Sequence, residues 1–148
     1  MPLVNFGAIM NFAEEIETLD MAYYQAAAGN PACEVNKALF EQFAKDAGKN
    51  IQTVKRTRRE NVTEMILEGI QNFTREPFQL NMEIKSADAC HTCALGETID
   101  TIKTLEERAE RYYQAAADKM KALPEVARAL KLMGKKRSAH LKMLDQLS

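Results

Sequence analysis

The chain has 148 residues, 46% of them hydrophobic, and its 20 Lys and Arg nearly balance 21 Asp and Glu. That length suits one domain with a real apolar core, and the net charge of −1 supplies no overall field, so neither nucleic acid nor an anionic membrane is expected as a partner. No stretch approaches the roughly 18 apolar residues of a membrane span, the N-terminus lacks a basic export segment, and an odd three cysteines form no disulfide framework, so a cytoplasmic protein is expected.

Gly and Pro are scarce, at six and four, while Ala, Glu, Lys, Leu and Met abound, which predicts an all-α fold. Pro2 suits the first turn of a helix over 2–28, closed by Gly29-Asn30-Pro31. Phe6, Ile9, Met10, Ala13, Ile16, Leu19, Tyr23 and Tyr24 recur there at steps of three and four and make one apolar face. A second helix begins between Pro31 and Val35, and its period continues to Phe73, a run of about 40 residues and ~60 Å. The polar stretch 55–61 interrupts its apolar face, and a bend or a break there is equally consistent with the pattern. Over 74–88 periodicity fails, and Pro77 with Ser86-Ala87-Asp88 marks a crossover ending in a helix N-cap. A third helix follows over 89–122, and Pro124 opens a fourth whose stripe is Val126, Ala129, Leu130, Met133, Leu141, Leu144 and Leu147. The expected domain is therefore 1–148, with a helix pair in 1–73, the crossover, and a second pair in 89–148. Tight turns make each pair antiparallel, while a long crossover lets helices two and three run parallel.

The two pairs are related. Residues 17–28 read ETLDMAYYQAAA and residues 106–117 read EERAERYYQAAA, so Glu17 matches Glu106 and Tyr24 matches Tyr113 at a common offset of 89. A weaker echo sets Lys45-x-x-Gly48-Lys49 against Lys131-x-x-Gly134-Lys135. Repetition of this length points to a duplicated helical hairpin.

An E-x6-Y on helices one and three of such a bundle resembles the rubrerythrin branch of the ferritin-like superfamily. The resemblance spans nearly the whole chain and implies a ferritin-like four-helix bundle of two hairpins joined by one long crossover. It also implies a pair of iron or manganese ions in the core, held by a Glu from each of helices one and three and an E-x-x-H from each of helices two and four. Glu17 and Glu106 match the first two ligands. The corresponding sites on helix two hold Ala47 and Asn50, and through the glycine echo those on helix four hold Met133 and Lys136. No E-x-x-H occurs, and His140 lies one turn beyond the site expected for it.

Two carboxylates facing each other in an apolar core require a cation or hydrogen-bond donors. Lys136 is the expected replacement for the metal, with Asn50, Tyr24 and Tyr113 completing a core polar network around Glu17 and Glu106. No metal cofactor is expected. The alternative is a residual site for iron or manganese built from Glu17 and Glu106 with Asp46 or Glu110. Viewed singly, Glu17 and Glu106 are ordinary surface helix residues, Lys136 belongs to a solvated basic run, and Tyr23, Tyr24, Tyr112 and Tyr113 are core aromatics bonded to nearby glutamates.

Cys90-His91-Thr92-Cys93 falls in the first turn of the predicted third helix, where the helix dipole favours a thiolate. Thiol exchange, half of a zinc site shared between two chains, and two half-buried structural thiols are all consistent with it. The leading functional expectation is a non-catalytic bundle that has lost its dimetal centre and serves binding or assembly, as a homodimer in which Met65, Ile66 and Ile70 of the long second helix find a partner. The competing readings are a metal oxidoreductase acting on peroxide or oxygen through atypical ligands, and thiol redox through Cys90 and Cys93.

Overall fold

In the computed structural model of the chain, residues 3, 5–61, 73–79 and 93–147 are described. Among them the protein is all-helical, with four α-helices and no strand: α1 (Phe6–Gly29), α2 (Lys37–Glu60), α3 (Leu95–Lys119) and α4 (Pro124–Asp145). No helix among the described residues is long and apolar enough to cross a membrane.

Local chemistry sets most of the boundaries. Asn5 starts α1 by accepting a hydrogen bond from the Ala8 amide at 2.8 Å, so the helix begins four residues later than Pro2 suggests. Asn30 ends α1 in extended backbone and caps the following 3₁₀ turn, Pro31–Asn36, through the Ala32 amide at 3.0 Å. Pro31 and Pro124 both stand in first turns, where a missing N–H costs nothing. The polar stretch after Val54 is where α2 stops: Glu60 is its last residue, and Arg58 and Arg59 complement the dipole of its final turn. The expected continuation through Met65, Ile66 and Ile70 lies outside the described residues. Helix α3 starts at Leu95 rather than at 89. Leu19, expected on the buried stripe, is 65% exposed, because at that turn the inward positions belong to Glu17 and Asp20.

Each hairpin packs mainly on itself, α1 on α2 and α3 on α4, and the hairpins meet where α1 touches α3 and α2 touches α4. The Tyr112 hydroxyl donates to the Ile9 carbonyl at 2.6 Å, whereas Tyr24, farther along α1, meets Glu106, earlier on α3. The two helices are therefore antiparallel, and two tight hairpins then leave α2 and α3 parallel. Phe73 and Phe78 pack on Tyr112 at one end of this pair, while Asn30 Nδ2 holds the Cys93 carbonyl at 2.8 Å at the other. Phe78 and Cys93 thus stand toward opposite ends of this helix pair.

The core is two apolar clusters. One gathers Phe6, Ile9, Phe12, Val54, Tyr112, Val126, Leu130 and their neighbours; the other gathers Tyr24, Phe40, Phe43, Ile102, Leu105 and Leu144. A layer of buried charged side chains lies between them.

Candidate functional site: a buried ion cluster

Glu17 and Tyr24 lie seven residues apart, two helical turns, and therefore on one face of α1; Glu106 and Tyr113 repeat this on α3. Because the helices are antiparallel, the pairs cross: the Tyr24 hydroxyl donates to Glu106 Oε1 and the Tyr113 hydroxyl donates to Glu17 Oε2. All four side chains are buried. Burial first, and then the neighbouring carboxylate, pushes both phenols well above their usual range, so each remains a protonated donor.

The cation between the carboxylates is Arg137 of α4. Its Nη2 lies 3.0 Å from Glu17 Oε1 and 2.9 Å from Asp20 Oδ2, and its Nη1 lies 3.1 Å from Glu106 Oε1 and donates to the Tyr24 hydroxyl at 2.8 Å. Burial opposes its charge, but Glu106 and Glu17 hold the guanidinium protonated well above its usual range. A second buried arginine, Arg108 of α3, binds Asp20 Oδ1 at 2.6 Å and reaches the Phe78 carbonyl at 3.3 Å. Three buried carboxylates thus share two guanidinium groups. The shortfall falls on Asp20, whose carboxyl burial pushes up to about 6 against the pull of Arg137 and Arg108.

His140, one turn beyond Arg137, links the cluster to the surface. Its Nδ1 is 3.1 Å from Glu106 Oε1 and its Nε2 is 2.8 Å from Asp46 Oδ2 of α2, while its ring stacks on Phe43 with centroids 3.9 Å apart. Burial alone would lower its pKa; the hydrogen bonds to Glu106 and Asp46 raise it above the ordinary value, and a doubly protonated ring donates to both acids. Burial likewise works against the charge of Glu106, and Arg137 and His140 hold its carboxyl below the usual range. Partial burial works against Asp46 too, yet hydrogen bonds from His140 and Gln42 hold it down.

The structure brings together four of the six residues expected in the core network, Glu17, Tyr24, Glu106 and Tyr113. Asn50 is buried, but no hydrogen bond joins it to either glutamate. Lys136 is exposed, and its charge acts on Asp46; the inward cation is the next residue, Arg137. The glycine echo causes that error. An added Cβ at Gly48 would meet Met21 at 3.7 Å, whereas one at Gly134 would meet Tyr113 at 3.2 Å, so the two glycines face non-equivalent positions of the repeated helices. Moving α4 by one turn pairs Ala47 with Arg137 and Asn50 with His140, four buried positions. Asp20 and Arg108 also escape the sequence reading. Asp20 had a signal, since it lies three residues from Glu17 and four from Tyr24 on the same face. Arg108 had none, because its counterpart in the repeat is the exposed Leu19.

This donor set does not suit the paired iron or manganese centre that the family resemblance implies. The guanidinium of Arg137 lies within 3.1 Å of both Glu17 and Glu106, so a cation already stands beside the two carboxylates that would hold a metal. Among the described residues no group of three or more His, Cys, Asp or Glu side chains is arranged to hold a metal ion. Cys93 is buried and precedes α3 rather than standing in its first turn, and Cys90 lies outside the described residues. No family model, curated protein or solved structure matches the chain.

Proposed function

We propose that the chain is a rubrerythrin-like, ferritin-like bundle in which an arginine stands in place of the dimetal centre, and that it serves binding or assembly, as a homodimer, rather than catalysis. The observation that carries this reading is Arg137 within 3.1 Å of both Glu17 and Glu106. An arginine is always charged and presents a rigid fork of donors, so it satisfies facing carboxylates without metal and without redox chemistry. Glu17, Asp20, Glu106, Arg108 and Arg137 are all buried, and a general acid or base needs a substrate within hydrogen-bond reach. A groove of about 560 Å³ between α1 and α2, lined by Met21, Gln25, Lys37, Glu41, Lys45 and Gly48 among others, includes none of the cluster's charged residues.

Elemental analysis of protein made in iron-replete cells tests the central claim. Substoichiometric iron, manganese and zinc are expected; two metal ions per chain would overturn it. Arg137→Glu removes the guanidinium and adds a carboxylate three residues before His140, and this variant is expected to take up iron or manganese that the parent does not. Sedimentation at micromolar concentration tests the dimer, and a monomer would sink that part.

A further inference from the structure

The charged residues of the four helices are unevenly divided between the two sides of the bundle. Helices α2 and α4 together carry thirteen Lys and Arg against five Asp and Glu, whereas α1 and α3 carry four against ten. The basic pair is contiguous, since the contacts of His140 with Asp46 and Phe43 place α2 beside α4. Its cations project outward: Lys49, Arg56 and Arg59 follow one stripe of α2, and Arg128, Lys131 and Lys135 follow one stripe of α4, all exposed. The C-terminal half of α2 and the N-terminal half of α4 share an end of the bundle, where Val54 packs in one cluster with Val126 and Leu130. The surface ion pairs among the described residues engage Lys37, Lys55, Arg75, Lys103 and Lys121 and leave those six cations without an acidic partner among them. Six unpaired like charges on two adjacent helices repel one another, and a polyanion relieves that repulsion.

The rest of the surface narrows the kind of polyanion. All six Phe and all four Tyr are buried and there is no Trp, so no such ring stacks on unpaired bases or anchors in a lipid interface. The exposed large apolar side chains within α2 and α4 are Leu132 and Met143, far apart on one helix and too few for insertion into a bilayer. What remains is contact with a regular phosphate backbone. A helix of this length spans about 35 Å, close to one turn of B-form duplex.

We propose that the α2–α4 face binds the phosphate backbone of duplex DNA without reading its sequence, while the acidic α1–α3 face turns away. The affinity comes from release of counterions by Lys and Arg and therefore falls steeply with salt. This inference is independent of the role proposed for the buried cluster.

Fluorescence anisotropy with a labelled duplex of about two helical turns tests it. With roughly four phosphates neutralised, the slope of log affinity against log salt is about −4, a loss of roughly a hundredfold between about 50 and 200 mM. The triple variant Arg56→Glu, Arg128→Glu, Lys135→Glu is expected to bind at least about tenfold more weakly with a flatter slope. Glu107→Lys, on the acidic face, is expected to leave the slope unchanged. If the triple variant loses its helical circular dichroism, the three single reversals replace it, each weakening binding about threefold. Absence of binding at the lowest salt overturns the proposal. So does tighter binding to a single strand of equal length, or binding to phosphatidylserine vesicles without binding to duplex.

Discussion

The two hairpins share a repeated helix but contribute opposite chemistry to the layer between them. The first supplies Glu17, Asp20, Tyr24 and Asp46, acids and one phenol; the second supplies both guanidinium groups, Arg108 and Arg137, with His140, beside Glu106 and Tyr113. Neither half can bury its share alone at an acceptable cost, since isolated charges in an apolar core are strongly unfavourable. What the difference teaches is that a symmetric frame of two Tyr–Glu contacts has been closed by asymmetric residues. Arg137 and His140 stand on α4 where α2 has Ala47 and Asn50.

Removing the asymmetric cation breaks the arrangement most severely. Arg137→Met strands Glu17, Asp20 and Glu106 together and is expected to cost about 3–5 kcal/mol by urea unfolding at neutral pH. Acidification should recover part of this as the carboxylates protonate. A variant as stable as the parent would mean that the hairpins are not joined through this layer.

Acid–base behaviour sharpens the same comparison. Asp20 has a folded pKa of about 6, above its unfolded value of 3.8, so its ionisation lowers stability as pH rises from about 4 to 6. His140 has a raised folded pKa, so its contribution is complete below about 6.5 and is lost as pH rises through the folded value. Glu106 and Asp46 titrate low, and their contribution disappears as pH falls through their folded pKa values. Stability is therefore expected to peak on the acid side of neutrality. Asp20→Asn should remove the decline between pH 4 and 6, worth on the order of 2–3 kcal/mol. Thermal unfolding across pH checks this, and unchanged curvature would refute it.

The two tyrosines test how far the halves remain equivalent. Each loses one bond to a carboxylate as Phe, but the Tyr24 hydroxyl also accepts from Arg137. Tyr24→Phe is expected to cost about 2–3 kcal/mol and Tyr113→Phe about 1.5 kcal/mol. Equal losses in denaturant titrations would show that the asymmetric arginine bond adds nothing.

The two glycines should give the smallest effects and opposite signs. Gly48→Ala places a methyl in ordinary contact with Met21 and gains helix propensity, an expected stabilisation of about 0.5–1 kcal/mol. Gly134→Ala crowds the Tyr113 Cβ at 3.2 Å, which sits on a helix backbone and gives way poorly, so it is expected to be neutral or destabilising by about 1 kcal/mol. The same sign at both positions would place the glycines in equivalent surroundings after all.

Much of the architecture was legible because its signals are short-range. Pro31, Pro124 and the Asn30 cap act within one helical turn, and the steps of three and four that mark buried faces repeat within each helix. Glu17 and Glu106 could be placed inward because Tyr-Tyr-Gln-Ala-Ala-Ala follows both at one spacing. The partner helices carried no such register mark. Their glycines looked equivalent and were not, and that displaced α4 by one turn, selecting Lys136 over Arg137 and setting His140 aside.

The sequence alone determined four helices, the positions of the tight turns, and a pair of acids with matching tyrosines turned toward the core, since each is encoded within a few residues of itself. Tertiary packing decided which member of the run Lys135-Lys136-Arg137 entered the core, and set the basic helices α2 and α4 side by side. The reason is geometric. Successive residues on a helix point about 100° apart, so only the rotation and rise of α4 against its three neighbours select one cation from a basic run.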